Sequence, residues 1–311
     1  MNKTFEKICR MSQKELKNHV KQKLAKTHGE IVSGDGYVFA QGKFPVLLVA
    51  HLDTVHRSLP TIIEYDETQD IISSPNGIGG DDRCGVYMIF KILKRYNCSV
   101  LFCEDEEIGC VGSGKFAGTQ LAKQLSFNYI IEFDRASAND AVFYRCANDK
   151  FDEFITKEFY KKEYGSFTDI CEIAPVIGCA AVNLSCGYYN PHTTNEYVVL
   201  SEMERSIVEA CKILQRTTEN DKFEFIEGYN YSSCWNSNVL YENIYDDEDY
   251  CFTSKYYMFE YVNARDETEW WDTVALSKAS AIGKFVMEFP SIPFENVIDI
   301  SVDATVYDNY I

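Results

Sequence analysis

Five apolar residues in a row, Val46-Leu-Leu-Val-Ala50, leave this chain little choice of fold. Side chains of a strand alternate between its two faces, so a strand apolar at every position must be covered on both sides. Such strands lie at the centre of sheets flanked by helices. Two further mainly apolar runs, Ser99–Cys103 and Tyr129–Phe133, read as buried strands, and Ala180–Cys186 as a fourth short strand. Between and after them, residues 82–96, 112–125 and 201–217 carry helical periodicity, the last opened by Ser201 as a cap. Earlier, residues 11–26 form an amphipathic helix with Met11, Leu16, Val20 and Leu24 on one face. Two short strands flank Gly34-Asp-Gly36, and residues 60–73 make an antiparallel pair turning at Asp66–Gln69. The alternation predicts an α/β protein with a mostly parallel mixed sheet flanked by helices.

Charge and cysteine usage narrow the function. The net charge of −18 opposes nucleic-acid binding, which needs basic surface. No apolar run approaches the roughly 18 residues that span a bilayer, and the charged N-terminal stretch lacks a signal segment, so a cytoplasmic protein with no membrane partner is expected. The 12 cysteines are scattered and form no C-x-x-C pair, which reads as reduced core residues. Composition shifts near residue 216: from there to residue 311 stand 19 acidic and 6 basic residues. The expected organisation is a domain over 1–215 and an acidic, aromatic-rich extension over 216–311. Trp235, Trp270 and Trp271 argue that the extension folds against the main domain, since disordered chains are poor in aromatics. One helix is expected at 273–288.

In open α/β sheets, sites lie beyond the carboxyl ends of the strands. Each apolar run here ends in metal-ligating residue types. Val46–Ala50 leads to His51 and Asp53, and Ser99–Cys103 to four consecutive acids, Glu104 to Glu107. Tyr129–Phe133 leads to Asp134, and the fourth run leads on to His192. Asp81 and Asp82 open the helix at 82–96. Each feature has an ordinary reading alone: a cap, a helix N-terminal acid pair, a solvated loop. Their recurrence at strand ends does not. Two imidazoles among carboxylates suit divalent first-row metals, zinc above all, and a cation would neutralise the crowded acids.

The segments AHLDTV, GIGGDDRCG, EDEEIGCVGS, EFDRA and GYYNPHTTNEYV, in this order, resemble the di-zinc exopeptidases of the peptidase T and carboxypeptidase G type. Among these, peptidase T-like tripeptide aminopeptidases look most similar, and GSFTDI resembles their Gly-Gly-Thr-Asp segment. The resemblance spans about residues 30–215. It implies that His51 and Asp134 bind one zinc ion, Glu107 and His192 bind the other, and Asp81 bridges them. Asp53 would orient His51, and Glu106 would be the general base. Glu196 matches a supporting glutamate. Asp82 is expected as a helix N-terminal acid, His56 as structural or substrate-lining, and Glu104 and Asp105 as solvent-facing or capping. An aspartate at the 134 position goes with aminopeptidases in this superfamily, glutamate with carboxypeptidases. About thirty residues separate Asp134 from Thr168-Asp169, too few for the lid domain that peptidase T members insert there. That lid dimerises and holds the substrate carboxylate in members, so oligomeric state is left open.

The expected function is an exopeptidase releasing N-terminal residues from short peptides with two divalent ions. An N-acyl amino acid deacylase would use the same water and base. A binding protein on a hydrolase fold is the alternative from another class, and a cysteine nucleophile at Cys84 or Cys110 lacks a histidine beside it in sequence.

Overall fold

A computed structural model of the chain describes residues 3–226, 255–263, 268–275 and 296–303, together with Phe285, Phe289 and Ile292. The chain divides into two compact units, residues 1–234 and 235–311.

The first unit is built on an eight-stranded sheet. Its centre holds four parallel strands in the order β6 (Cys98–Cys103), β3 (Phe44–His51), β7 (Tyr129–Arg135) and β10 (Ala181–Ser185). Antiparallel strands finish both edges: β2 (Tyr37–Ala40) and β1 (Ile31–Gly34) beyond β6, β8 (Asp140–Val142) beyond β10. Beyond β8 lies β9 (Lys161–Glu163), parallel to it. The mostly parallel mixed sheet expected from the apolar runs is the sheet observed. Residues 135–167 complete it with β8, β9 and the intervening α5 (Asp149–Thr156).

The two faces are covered as the doubly apolar strands require. Val46, Leu48 and Ala50 join a core with α1 (Lys3–Cys9), α2 (Gln13–Leu24), α3 (Gly80–Ile92) and α7 (Leu200–Arg216). Leu47 and Val49 point into the opposite core, with Phe116 of α4 (Val111–Ala117) and Ile170, Ile173 and Ala174 of α6 (Asp169–Ile177). Helix α3 lies so close to β7 that a Cβ on Gly85 would fall 2.0 Å from the Phe133 carbonyl oxygen. Only glycine allows that approach, and it brings the start of α3 to the strand ends.

A four-stranded sheet in the order β11 (Tyr188–Tyr189), β12 (Tyr197–Val199), β5 (Ile71–Ser73) and β4 (Glu64–Asp66) lies in the same unit. The β4–β5 hairpin turns where expected, with the Asp66 carboxylate accepting from the amides of Thr68 and Gln69.

Three local expectations are corrected. Residues 112–125 are not one helix: α4 ends at Ala117 with Gly118 as its C-cap, and a separate 3-10 turn follows at Ala122–Gln124, its first amide taken by the Thr119 hydroxyl. Ser201 does not cap α7, which starts at Leu200 and is capped by Asp70 through its carbonyl to the Leu200 amide and its carboxylate to the Ser201 amide, 2.6 Å. A partner 131 residues away displaced the local one. Thr273–Ala275, read as the start of a helix, end β14 (Thr268–Ala275), and the rest of 276–288 apart from Phe285 lies outside the described residues, as does Trp235.

In the second unit β13 (Lys255–Val262) pairs antiparallel with β14 and with β15 (Val297–Asp303). Tyr257, Phe259 and Tyr261 alternate onto one face, around Phe285, whose ring stacks 4.9 Å from that of Phe259. Among the described residues, no helix is long and apolar enough to cross a membrane.

Candidate metal centre

Strand order reverses direction at β3: the chain passes to β6 on one side and later returns to β7 on the other. The crevice at the carboxyl ends of these strands is where α/β sheets place their ligands. His51 is the last residue of β3, Asp134 lies at the end of β7, and the acidic turn follows β6. Asp81 arrives with the start of α3, joined to Asp82 by a cis peptide bond, and His192 on the loop between β11 and β12.

These residues converge as two triads that share one member. Ligand atoms of His51, Asp81 and Asp134 lie within 4.8 Å of one another, and so do those of Asp81, Glu107 and His192. His51 Nε2 is 3.1 Å from Asp81 Oδ1 and 3.4 Å from Asp134 Oδ1. His192 Nε2 is 3.1 Å from Asp81 Oδ2 and 3.1 Å from Glu107 Oε2. The two oxygens of Asp81 therefore serve one triad each.

Asp53 ties the triads to the sheet. Its Oδ1 lies 3.2 Å from His51 Nδ1 and accepts from the Glu106 amide, while its Oδ2 accepts from the Glu107 amide, both at 3.1 Å. With the Nδ1 hydrogen directed at Asp53, the Nε2 lone pair of a neutral His51 would face two carboxylate oxygens. That is repulsive unless a positive charge stands between them.

The electrostatics say the same. Burial alone would lower His51, yet Asp53 and Asp134 push it well above its ordinary value. Hydrogen bonds that the ring donates to Asp81 and Glu107 raise His192 to about 11. Burial would raise Asp81, but His192 and His51 hold it below the usual carboxylate range. Burial raises Glu106, and the charges of Asp134, Asp169 and Glu107 add to it against His51. Glu107 and Asp134 are raised by burial and by Asp81. The surrounding carboxylates favour a positive charge on each imidazole, in the places where cations would fit. The buried Glu107 Oε1 has no hydrogen-bond partner, a further oxygen available to a cation. A donor set of two imidazoles and three carboxylates suits divalent zinc-like ions.

The neighbours sort by contact. Asp82, fully buried, accepts from the Gly85 and His51 amides, which makes it the helix N-terminal acid expected and a clamp on β3 as well. Glu196 accepts from the Gly79 and Asp81 amides and pairs with His56 Nε2 at 2.7 Å, so it shapes the loop that carries Asp81, and His56 braces it. Glu104 and Asp105 do not simply face solvent: Glu104 pairs with Lys17 at 2.5 Å, and Asp105 accepts from Gln13 at 3.0 Å. The acidic turn is thereby tethered to α2.

Two residues escaped the sequence reading. Arg83 is 1% exposed and donates to the carbonyls of Leu52, Asp53 and Met11, fixing the chain just after His51. The sign was an arginine at the head of the apolar stretch that follows Asp81 and Asp82, since such a charge must find internal partners when buried. Glu132, fully buried, was hidden inside an apolar strand run whose one acid was passed over.

No family model matches the chain, and no curated protein matches it. Solved structures do. The aminopeptidase PepT from Bacillus cereus ATCC 10987 is similar with a TM-score of 0.57 at 13% identity, over 68% of this chain and 96% of that one. A tripeptidase from Staphylococcus aureus subsp. aureus Mu50 gives 0.57 at 12%, over 68% and 96%. The TET aminopeptidase from the marine sediment archaeon Thaumarchaeota archaeon SCGC AB-539-E09 gives 0.55 at 12%, over 70% and 97%. The fold is shared with these structures. The mixed sheet and its flanking helices are thus a fold this chain has in common with these proteins, at identities too low to carry an activity across.

Proposed function

We propose that this chain is a metal-dependent aminopeptidase hydrolysing short peptides. His51, Asp81 and Asp134 hold one divalent ion, Asp81, Glu107 and His192 hold a second, and zinc is the ion at both. The observation that carries this reading is the division of Asp81, one oxygen toward each triad. A structural ion pair would not need it; a pair of ions does. Such a pair supplies a water of lowered pKa and positive charge where an oxyanion develops.

The chain's own residues do the rest. Glu106 takes the proton of the attacking water on its carboxylate and delivers it to the departing amine nitrogen. Asp53 accepts the Nδ1 hydrogen of His51, keeping Nε2 directed into the centre, and through the two amides it binds it also places Glu106 and Glu107. Glu196 holds the loop that presents Asp81. Release of an N-terminal residue is supported by the aspartate at position 134 and by the fold shared with an aminopeptidase and a tripeptidase.

The test is Glu106→Gln. It is expected to retain two ions per chain by elemental analysis while turnover of a tripeptide falls about 100-fold to 10,000-fold. Hydrolysis at the unaltered rate would refute the role of Glu106. A panel of dipeptides and tripeptides set against N-acetyl amino acids separates peptidase from deacylase, and protein that takes up no divalent ion would return the reading to a binding protein.

A further inference from the structure

Thr168 occupies the position of a helix-capping side chain and does not cap. It precedes α6, yet its hydroxyl makes no bond to the helix amides. Threonine at that position ordinarily contributes about 1 kcal/mol by accepting from the first turn. Here Oγ1 lies 2.9 Å from Glu132 Oε2 and 2.9 Å from Asp134 Oδ2. Glu132 and Asp134 are two residues apart on β7, so they share a sheet face, the face of Ile130 and α6. Thr168 is 1% exposed, Glu132 is fully buried, and Glu132 Oε1 has no partner. The diverted hydroxyl therefore sits between a glutamate whose other oxygen has no hydrogen-bond partner among the described residues and Asp134 of the triad that contains His51.

A threonine hydroxyl has one hydrogen and two lone pairs. Both contacts are made by that one hydroxyl, which the two carboxyl groups hold in place of the helix amides. We infer that Thr168 is a buried positioning residue: seated against Glu132, its hydroxyl holds Asp134 Oδ2 and so turns Asp134 Oδ1 toward the ion held with His51. The inference rests on the reading of that triad as a cation site. The remaining contacts of Asp134 leave this one rotation to be fixed. Asn183 pins its backbone, accepting from the Asp134 amide at 2.8 Å and donating to its carbonyl at 2.9 Å. The Tyr188 hydroxyl reaches Oδ1 at a long 3.3 Å. Oδ2 is held by Thr168 at the shorter 2.9 Å.

The experiment measures Zn2+ affinity of the full chain by chelator competition, resolving the two ions, with the visible spectrum of Co2+-loaded protein as a second readout. Thr168→Val is expected to weaken one of the two ions about 10-fold to 100-fold and to alter the Co2+ spectrum, with Thr168→Ser restoring both to within about threefold. Unchanged Zn2+ affinity in Thr168→Val, or Thr168→Ser no better than Thr168→Val, would overturn the positioning role. If Thr168→Val fails to fold, Thr168→Ala takes its place: loss in Thr168→Ala with recovery in Thr168→Ser supports the role, and equal affinities in both overturn it. Absence of Zn2+ binding by the unaltered chain would overturn the centre itself; two ions bound, with Thr168→Val indifferent, would remove only the role of Thr168.

Discussion

The two triads share Asp81 but are made differently. The inner one is carried by the sheet. His51 ends an eight-residue central strand, is 1% exposed, and has its second ring nitrogen held by Asp53. Asp134 is pinned through its backbone by Asn183 on the neighbouring strand. The outer triad is carried by loops. His192 stands at φ 64 between two short strands with its side chain 55% exposed, and Glu107 has one oxygen without a partner. Ordering loop residues costs about 1–2 kcal/mol each in backbone entropy. Sheet-borne ligands have met that cost in folding, whereas loop-borne ligands meet it when an ion binds. With the proposed ions bound, the inner half would keep its ion, and the outer half would exchange it and face what enters from solvent.

The largest test of this division removes what the halves share. Asp81→Ala is expected to empty both, with affinity at each falling by at least about 100-fold, since a ligand is lost rather than a supporting contact. Metal content after dialysis measures it. An Asp81→Ala protein that still holds one ion tightly would mean the halves are independent. Next in size is the contrast between the histidines in metal-free protein. His51→Ala removes the positive partner of Asp53, Asp81 and Asp134 inside the fold, and about 3 kcal/mol of stability should go with it. His192→Ala acts on a ring half in solvent, where a pair contributes at most about 1 kcal/mol. Denaturant unfolding of the two variants decides it, and equal losses would erase the difference between the halves.

The two halves also differed in how far they could be read from sequence. The strand-end positions of His51 and Asp134 follow from local rules, while their assignment to one ion came from the resemblance. Val46–Ala50 is a strand because it is apolar throughout and Tyr129–Phe133 because it is apolar but for Glu132, and ligands beyond carboxyl ends follow from the topology of parallel sheets. Asp81 and His192 reach the centre through loops, and nothing in their spacing places them; their pairing came from resemblance to a known motif set. The supporting contacts were harder still. Arg83 and Asp70 act on backbone groups distant in sequence, and α6 was missed because Pro175 stands within it. Thr168 displayed the pattern of a cap while its hydroxyl serves another strand. Local propensity names elements well, but it is blind to a partner that arrives only on folding.

The smallest effect tests whether the outer half is as adjustable as its loops suggest. The acidic turn that carries Glu107 is fastened to α2 by Lys17, which bonds Glu104 at 2.5 Å and the Gly34 carbonyl at 3.0 Å. Their side chains are 18% and 15% exposed, so this pair is better shielded than a surface ion pair, though not dry. Lys17→Met keeps the apolar stem and removes the charge. Global stability is expected to fall by no more than about 1 kcal/mol. Glu107 belongs to the outer triad alone, so any loss of Zn2+ affinity should be confined to the more weakly held ion. A matching loss at the tightly held ion would show that the turn supports both halves, through Asp53, whose carboxylate binds the Glu106 and Glu107 amides. The division between sheet-borne and loop-borne ligands would then be one of exposure only, since a single rigid frame would carry both.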